Sequence, residues 1–224
     1  MFALTVDRRD SRGDGPRLNM REHLAACQRD LPTPVLPWDI TAGDELQALY
    51  DDAAAVLGAV LALADTGEWH VGLGVGPVDR PLADAVREST GPALVSAREA
   101  VQAAKDSDSP AVHGGAWAER TGSVLGLVCA VRRRRTASGF QTAALADTGL
   151  TQQQMAARLG ITQSSVSRRL DAALWREERA ARTTVVALLE LADAEAGSED
   201  SAAAPLQDAA AAAQPTRAGR GDRA

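Results

Sequence analysis

Residues 149–174 read GLTQQQMAARLGITQSSVSRRLDAAL, and this stretch decides how the second half of the chain is organised. Thr151 is a residue type that caps helix N-termini, and Gln154 three residues later completes a capping box. The stretch therefore predicts a helix over 152–159. Gly160 follows at the point where a helix ends in a left-handed residue.

A second helix is predicted directly after this glycine. Thr162 caps it, and Val166 and Leu170 form its buried stripe because they are four residues apart. Ala156 is small enough to lie where two helices cross at a steep angle, and Ile161 fills the corner between them. The pattern is that of a helix-turn-helix. Over its whole length the stretch resembles the helix-turn-helix of bacterial transcriptional regulators.

The polar edge of this helix pair predicts contact with double-stranded DNA. Short polar side chains and glutamine let a helix enter the major groove, where Gln and Arg can make paired hydrogen bonds to base edges. Ser and Thr near a helix start can bind phosphates. The predicted DNA-binding residues are Thr151, Gln152, Thr162, Gln163, Ser164, Ser165, Ser167, Arg168 and Arg169. An ordinary helical hairpin with a polar surface is the alternative.

The distribution of charge divides the chain in the same way. Residues 1–115 carry 10 basic and 18 acidic side chains, whereas residues 116–196 carry 11 basic and 8 acidic ones. The first segment repels nucleic acid at long range and the second attracts it. Residues 197–224 have no apolar periodicity and predict a disordered tail. The predicted domains are an α/β domain over 1–115, a helical domain over 116–196, and this tail.

Two long helices are predicted on either side of the helix pair. One runs from Ala116 to about Leu145 and contains the run Arg132–Arg135, which is either a phosphate contact or a solvated helix end. The other runs from about Asp171 to Ala194 and has an apolar stripe that includes Leu174. That stripe packs on the helix pair or on a second copy, so a homodimer is a further expectation.

The first half of the chain alternates between apolar strands and helices. Strands are predicted over 2–6, 35–42, 45–50, 68–75 and 111–114, and helices over 16–31, 53–65 and 92–105. The order β-α-β-β-α-β is the split pattern of a ferredoxin-like sheet. The predicted fold class is therefore α+β, with a ferredoxin-like N-terminal domain followed by an all-α helix-turn-helix domain.

Acidic residues and glycines mark the ends of these strands. Asp7 follows the first strand, Gly43-Asp44-Glu45 forms the tip of a hairpin, and Gly72-Leu-Gly-Val-Gly76 makes a glycine-rich strand. This arrangement resembles the palm of class III nucleotide cyclases and diguanylate cyclases. With Gly91-Pro92-Ala93 and Ala97-Arg98-Glu99-Ala100 it resembles the bacterial SatD family more closely, over about half of the chain.

The resemblance implies a nucleotide site with Mg²⁺, which would bridge triphosphate oxygens. The implied metal ligands are Asp7, Asp44 and Glu45. The implied nucleotide-binding residues are Gly43 and Gly72, which would let the nucleotide approach, and Arg98, which would offset its charge. A polar turn or a strand-end ion pair is the alternative for the carboxylates, and close packing is the alternative for the glycines.

The composition excludes several classes of protein. No stretch approaches the ~18 consecutive apolar residues of a membrane span. The apolar start meets Asp7 and Arg8 too early for a secretory signal. Cys27 and Cys129 are too few and too far apart for a disulfide framework or a zinc site. We therefore expect a cytoplasmic protein with no membrane partner.

Three functions remain open. The first is a DNA-binding transcriptional regulator whose N-terminal domain senses a nucleotide or mediates oligomerisation. The second is a metal-dependent nucleotidyl-cyclase-like enzyme with an appended helix-turn-helix, and the third is an interaction protein that has lost DNA binding. Residues 149–174 favour the first, because caps, small residue, glycine, apolar corner and polar edge all coincide there.

Overall fold

Within residues 1–9 and 20–212, which the computed structural model describes, the chain has a mixed α+β fold with one five-stranded sheet and eight α-helices. The strands are β1 Phe2–Arg8, β2 Leu36–Ala42, β3 Glu45–Tyr50, β4 Trp69–Val75 and β5 Ala111–His113. The helices are α1 Met20–Asp30, α2 Ala53–Thr66, α3 Pro92–Ser107, α4 Ala116–Arg133, α5 Ala137–Asp147, α6 Gln152–Leu159, α7 Gln163–Ala172 and α8 Trp175–Ala212.

The strands lie in the order β2-β3-β1-β4-β5. β1 is antiparallel to β3 and β4, and β2 is antiparallel to β3, whereas β5 is parallel to β4. The register pairs Asp7 with Glu45 on one side and with His70 on the other. Because directly opposed residues point to the same face, these three side chains form a row across one end of the sheet.

Alternation along β1 gives the sheet two covered faces. Phe2, Leu4 and Val6 belong to a core that also contains Leu125 of α4 and Leu189 of α8. On the opposite face, Ala3 and Leu49 pack with Ala93 and Ala97 of α3. Because the larger core draws side chains from the sheet and from α4 and α8, the first and second halves of the chain share one hydrophobic interior.

The glycine-rich strand β4 lies directly under α3. A Cβ atom on Gly72 would lie 2.1 Å from the backbone nitrogen of Val101, and one on Gly74 would lie 2.0 Å from the carbonyl oxygen of Ala93. No side chain fits within such distances, so glycine allows the helix and the strand to touch backbone to backbone.

The helical half differs from the prediction at two boundaries. One helix was expected over 116–145, but α4 ends at Arg133 and α5 begins at Ala137. Thr136 starts the new helix by accepting a 3.1 Å hydrogen bond from the N–H of Gly139, a capping contact that competes with a continuous helix. The last helix begins at Trp175 because Leu174 has a φ of 49° and breaks the helical path. Leu174 is 45% exposed and does not belong to an apolar stripe.

The structure allows only part of the prediction for residues 16–31 and 197–224 to be compared. α8 continues past residue 196 to Ala212, through an alanine-rich stretch with high helix propensity. The predicted disordered tail over 197–224 thus overlaps this helix, and its residues 213–224 lie outside the described ones. Residues 10–19 also lie outside them, including the start of the helix predicted over 16–31. No helix of the described part combines the length and hydropathy that crossing a bilayer requires.

Candidate nucleic-acid interface

α6 and α7 are joined by a three-residue turn, and hydrogen bonds cap both ends of α6 and the start of α7. Thr151 accepts a 3.3 Å hydrogen bond from the N–H of Gln154, and its own N–H donates to Gln154 Oε1 at 2.8 Å. Gly160 has a φ of 65° and donates its N–H to the carbonyl of Ala156. Thr162 caps α7 by accepting from the N–H of Ser165 at 3.2 Å. The turn is therefore fixed by hydrogen bonds at both of its ends.

The helix pair and α5 have a small core of their own. Its buried members are Ala146, Met155, Ala156, Val166 and Leu170. Ile161 in the turn and Trp175 at the start of α8 pack against them. Since Val166 is fully buried, the opposite side of α7 necessarily faces outward.

The outward edge of α7 carries the predicted base-reading side chains. Gln163, Ser164 and Arg168 are exposed, while Ser165, Ser167 and Arg169 are half-buried. α7 packs mainly against α5, α6 and α8. Within residues 1–9 and 20–115, the sheet half therefore does not pack substantially against this edge.

Two of the predicted DNA-binding residues act as helix caps in the fold. The hydroxyls of Thr151 and Thr162 accept backbone N–H groups as helix caps. Thr162 Oγ1 also lies 3.0 Å from Ser164 Oγ. Gln152 is half-buried in the first turn of α6. Among the predicted residues, Gln163, Ser164 and Arg168 are thus exposed and do not cap a helix.

The arginine run at the end of α4 is divided between two roles. Arg132 donates to Glu178 Oε1 at 2.9 Å and also pairs with Asp65. Arg135 donates to Glu178 Oε2 at 3.2 Å and to the carbonyl of Ala173 at 2.8 Å. Arg132 and Arg135 are therefore engaged within the protein. The run was expected to be a phosphate contact or a solvated helix end, and these two arginines are neither.

The other two arginines of the run remain at the surface. Arg133 is exposed and reaches the carbonyl oxygen of Asp108 at 3.5 Å. Arg134 is exposed and lines a cavity together with Arg168 and Arg169. The sequence analysis identified Arg134 only as part of the arginine run. It did not identify Thr136 or Ser138, which line the same cavity.

The buried ion pairs perturb two groups next to the helix pair. Burial acts to lower the pKa of Arg132, but its contacts with Asp65 and Glu178 outweigh burial and raise it. Burial acts to raise the pKa of Asp147, but hydrogen bonds from Arg182 and Trp175 outweigh burial and lower it. Both groups are therefore held charged, and they connect α2, α4, α5 and α8.

The carboxylates predicted to bind a metal each have a different environment. Asp7 Oδ2 accepts a 2.8 Å hydrogen bond from Lys105 Nζ, and Glu45 Oε1 accepts one of 2.6 Å from Thr41. Asp44 lies in the turn between β2 and β3, and its buried Oδ2 has no hydrogen-bond partner among the described residues. Among the described residues, no three His, Cys, Asp or Glu side chains are grouped as metal ligands. Asp7 is therefore paired with a lysine, and a metal centre at this end of the sheet stays a prediction.

The residues implied for nucleotide binding do not line one cavity. Gly43 has a φ of 57° and open space around it, as a hairpin turn requires. Gly72 lies under α3 with no room for a Cβ atom, which favours the alternative of close packing over nucleotide approach. Arg98 is exposed on α3 and lines a cavity of about 230 Å³ with Thr41 and Gln47, and neither glycine belongs to it.

Comparison with protein-family models, with curated proteins and with solved structures gave no match.

Proposed function

We propose that this protein is a transcriptional regulator that binds double-stranded DNA by placing α7 in the major groove. The observation that carries the proposal is the exposed edge Gln163, Ser164 and Arg168 on a helix whose other side is packed and capped. A helix inserts into the groove as a rigid body, so its orientation must be set before binding. The capped turn over Gly160–Thr162 supplies that rigidity.

The chemistry of the edge suits a duplex. Gln163 can pair with adenine through two hydrogen bonds, and Arg168 can contact either a guanine or a phosphate group. Ser164 is short enough to allow close approach of the helix to the base edges. In this proposal α5, α6 and α7 form a helix-turn-helix domain, and the basic charge of residues 116–196 attracts the phosphate backbone.

We further propose that the sheet half is ferredoxin-like. The support is the antiparallel order β2-β3-β1-β4, to which β5 adds a parallel edge strand. The likeness to the SatD family and a role in nucleotide sensing or oligomerisation, including a homodimer, remain proposals for this half. A regulator of this kind would act in the cytoplasm.

The test is DNA binding by the full chain, because α4 and α8 belong to a core shared with the sheet. Fluorescence anisotropy on a labelled duplex of mixed sequence is followed as salt is raised. We expect the logarithm of the binding constant to fall linearly with that of the salt concentration. Ser164→Glu places a carboxylate on the proposed edge and should weaken binding at least roughly tenfold by repelling phosphates.

The matched control is Ser123→Glu, which adds the same charge at an exposed position on α4. We expect this variant to bind like the parent protein. The proposal is wrong if the parent protein binds no duplex at low salt, or if both variants weaken binding equally.

A metal-dependent nucleotidyl-cyclase-like activity is the second candidate. One observation favours it: the partnerless buried Oδ2 of Asp44 lies at the hairpin tip, next in sequence to Glu45, which is opposite Asp7. The test is incubation with labelled nucleoside triphosphates and Mg²⁺ or Mn²⁺. A cyclic product that Asp44→Asn abolishes would establish it, and absence of product would leave the sheet half without this activity.

A further inference from the structure

A cavity of about 290 Å³ lies between the end of α4, the start of α5 and the end of α7. It is lined by Arg134, Thr136, Ser138, Gly139, Arg168, Arg169, Ala172 and Ala173. Three of these eight residues are arginines, and none carries a carboxylate. The cavity therefore concentrates positive charge that no lining residue neutralises.

Three arginines near this cavity are already engaged by a carboxylate. Arg132, Arg135 and Arg182 are each within 3.2 Å of a carboxylate oxygen of Glu178. In the described part of the chain, Arg134, Arg168 and Arg169 have no ion pair. Unpaired guanidinium groups that converge on one space are the usual means by which proteins bind phosphate oxygens, because each offers a planar fork of donors.

The start of α5 adds donors to the same cavity. The N–H of Gly139 donates to Thr136 Oγ1. The N–H groups of Ala137 and Ser138, which precede it in the first turn of α5, have no acceptor within the helix. The hydroxyls of Thr136 and Ser138 lie 3.2 Å apart. No acidic residue occupies the first turn of α5, so the positive end of the helix dipole adds to the three arginines.

We propose that this cavity binds a phosphate group, namely a phosphodiester of the DNA strand that flanks the groove entered by α7. The inference rests on the proposed function and extends it. Arg168 and Arg169 belong to α7 itself, so a duplex seated on the outward edge of α7 brings its backbone towards them. Arg134 and Ser138 complete the site from the other side.

The site gives Arg168 and Arg169 a different task from base reading. A phosphate is the same at every base pair, so these contacts fix the position of the protein on the duplex and carry no sequence information. Base reading then falls to Gln163 and Ser164, nearer the start of α7. The sequence alone assigned all four residues to one DNA-binding set.

Two probes test the site on the full chain. The first is a labelled duplex of mixed sequence, followed by anisotropy against salt, and the second is inorganic pyrophosphate, followed by calorimetry at low salt. The central variant is Arg134→Gln. Its matched control is Arg133→Gln, which removes the same charge from the neighbouring residue, whose guanidinium reaches Asp108 instead.

We expect Arg134→Gln to weaken duplex binding roughly tenfold at low salt and to reduce the salt slope by about one, as loss of one phosphate contact does. Arg133→Gln should leave the slope unchanged. Ser138→Asp provides a variant that folds at least as well, because an acid in the first turn stabilises a helix. Its carboxylate should repel the phosphate and weaken binding at least as much as Arg134→Gln.

The outcomes separate this inference from the proposed function. If Ser164→Glu weakens duplex binding but Arg134→Gln and Ser138→Asp do not, the cavity inference is wrong and the DNA-binding proposal stands. If the parent protein binds no duplex, but binds pyrophosphate in a manner that Arg134→Gln removes, the site takes a free phosphate and its assignment to DNA is wrong. Equal effects of Arg134→Gln and Arg133→Gln would also overturn the inference, since they would show only general charge attraction.

Discussion

Arg135, between α4 and α5, and Glu178 of α8 form an ion pair inside the protein, with side chains only 2% and 0% exposed and Nη2 3.2 Å from Oε2. The same carboxylate lies 2.9 Å from Arg132 and 3.2 Å from Arg182. Arg132 continues to Asp65 on α2, and Arg182 continues to Asp147 on α5. The charges thus form a connected path from a helix that covers the sheet to a helix that supports α7.

Replacing the centre of this network should destabilise the fold strongly. Glu178→Gln keeps the shape of the side chain but leaves Arg135 buried without a compensating charge. Breaking a buried pair in this way costs about 3–5 kcal/mol of unfolding free energy. Urea denaturation measures the loss, with Glu177→Gln, one residue away and exposed, as the control expected to stay within about 0.5 kcal/mol of the parent. A loss of the same small size in both variants would contradict a structural role for the network.

The pair of Asp147 and Arg182 should make stability depend on acid pH. The pKa of Asp147 is lowered in the folded protein, so the unfolded chain binds its proton more readily. The stabilisation is therefore complete above the ordinary value of 3.8 and is lost as the pH falls through the lowered value. We expect Asp147→Asn to reduce the unfolding free energy near neutral pH and to differ less from the parent in strong acid. A difference that stays constant across this range would show that the carboxylate is not held charged by its partners.

Gly72 should not tolerate a side chain. Gly72→Ala would place a methyl group 2.1 Å from the backbone of α3, so the helix must move away from β4. Overpacking of this kind typically costs about 1–3 kcal/mol, and a backbone neighbour cannot yield as a side chain can. Gly197→Ala on α8 is the comparison, because nothing lies within 4 Å of its added atom and alanine favours a helix by about 1 kcal/mol. Thermal unfolding should shift down for the first variant and not for the second; an unchanged midpoint for Gly72→Ala would show that α3 does not contact β4 in this way.

Both cysteines should be unreactive in the folded protein. Burial is the main cause that raises the pKa of the Cys27 thiol to about 11, with the nearby Asp30 adding to it. Burial likewise raises the pKa of the Cys129 thiol to about 11, although Arg133 and Arg132 oppose it. Since the thiolate is the reactive form, labelling at mildly alkaline pH should be roughly a hundredfold slower in the folded than in the unfolded protein. Rapid labelling of the folded protein would place one of these thiols at the surface.

The sequence predicts the helix pair well because its signals are local. Thr151, Gly160 and Thr162 each act within one helical turn of their own position, and the structure forms each of those contacts. The helix expected over 116–145 is divided at Thr136. The helix propensities of the residues around Thr136 do not decide whether the helix continues there or a new one is capped. The burial of Glu178 in an ion-pair network depends on Arg132 and Arg135, which are more than 40 residues away in the chain. Likewise, whether Gly72 faces a ligand or a helix depends on where α3 lies.

Because Cys27 and Cys129 are both buried, thiol protection can measure whether α7 enters the major groove. Ser164→Cys introduces a thiol on the outward edge of α7, and Ser123→Cys introduces one on the exposed surface of α4. The labelling rate of each variant is measured with a small maleimide, in the absence of DNA and with saturating duplex. We expect the duplex to slow labelling of the Ser164→Cys protein at least roughly tenfold, because a helix in the major groove is closed to reagent, and to leave the Ser123→Cys protein unchanged. Bound duplex with no change in the labelling rate of the Ser164→Cys protein would contradict the placement of α7 in the groove.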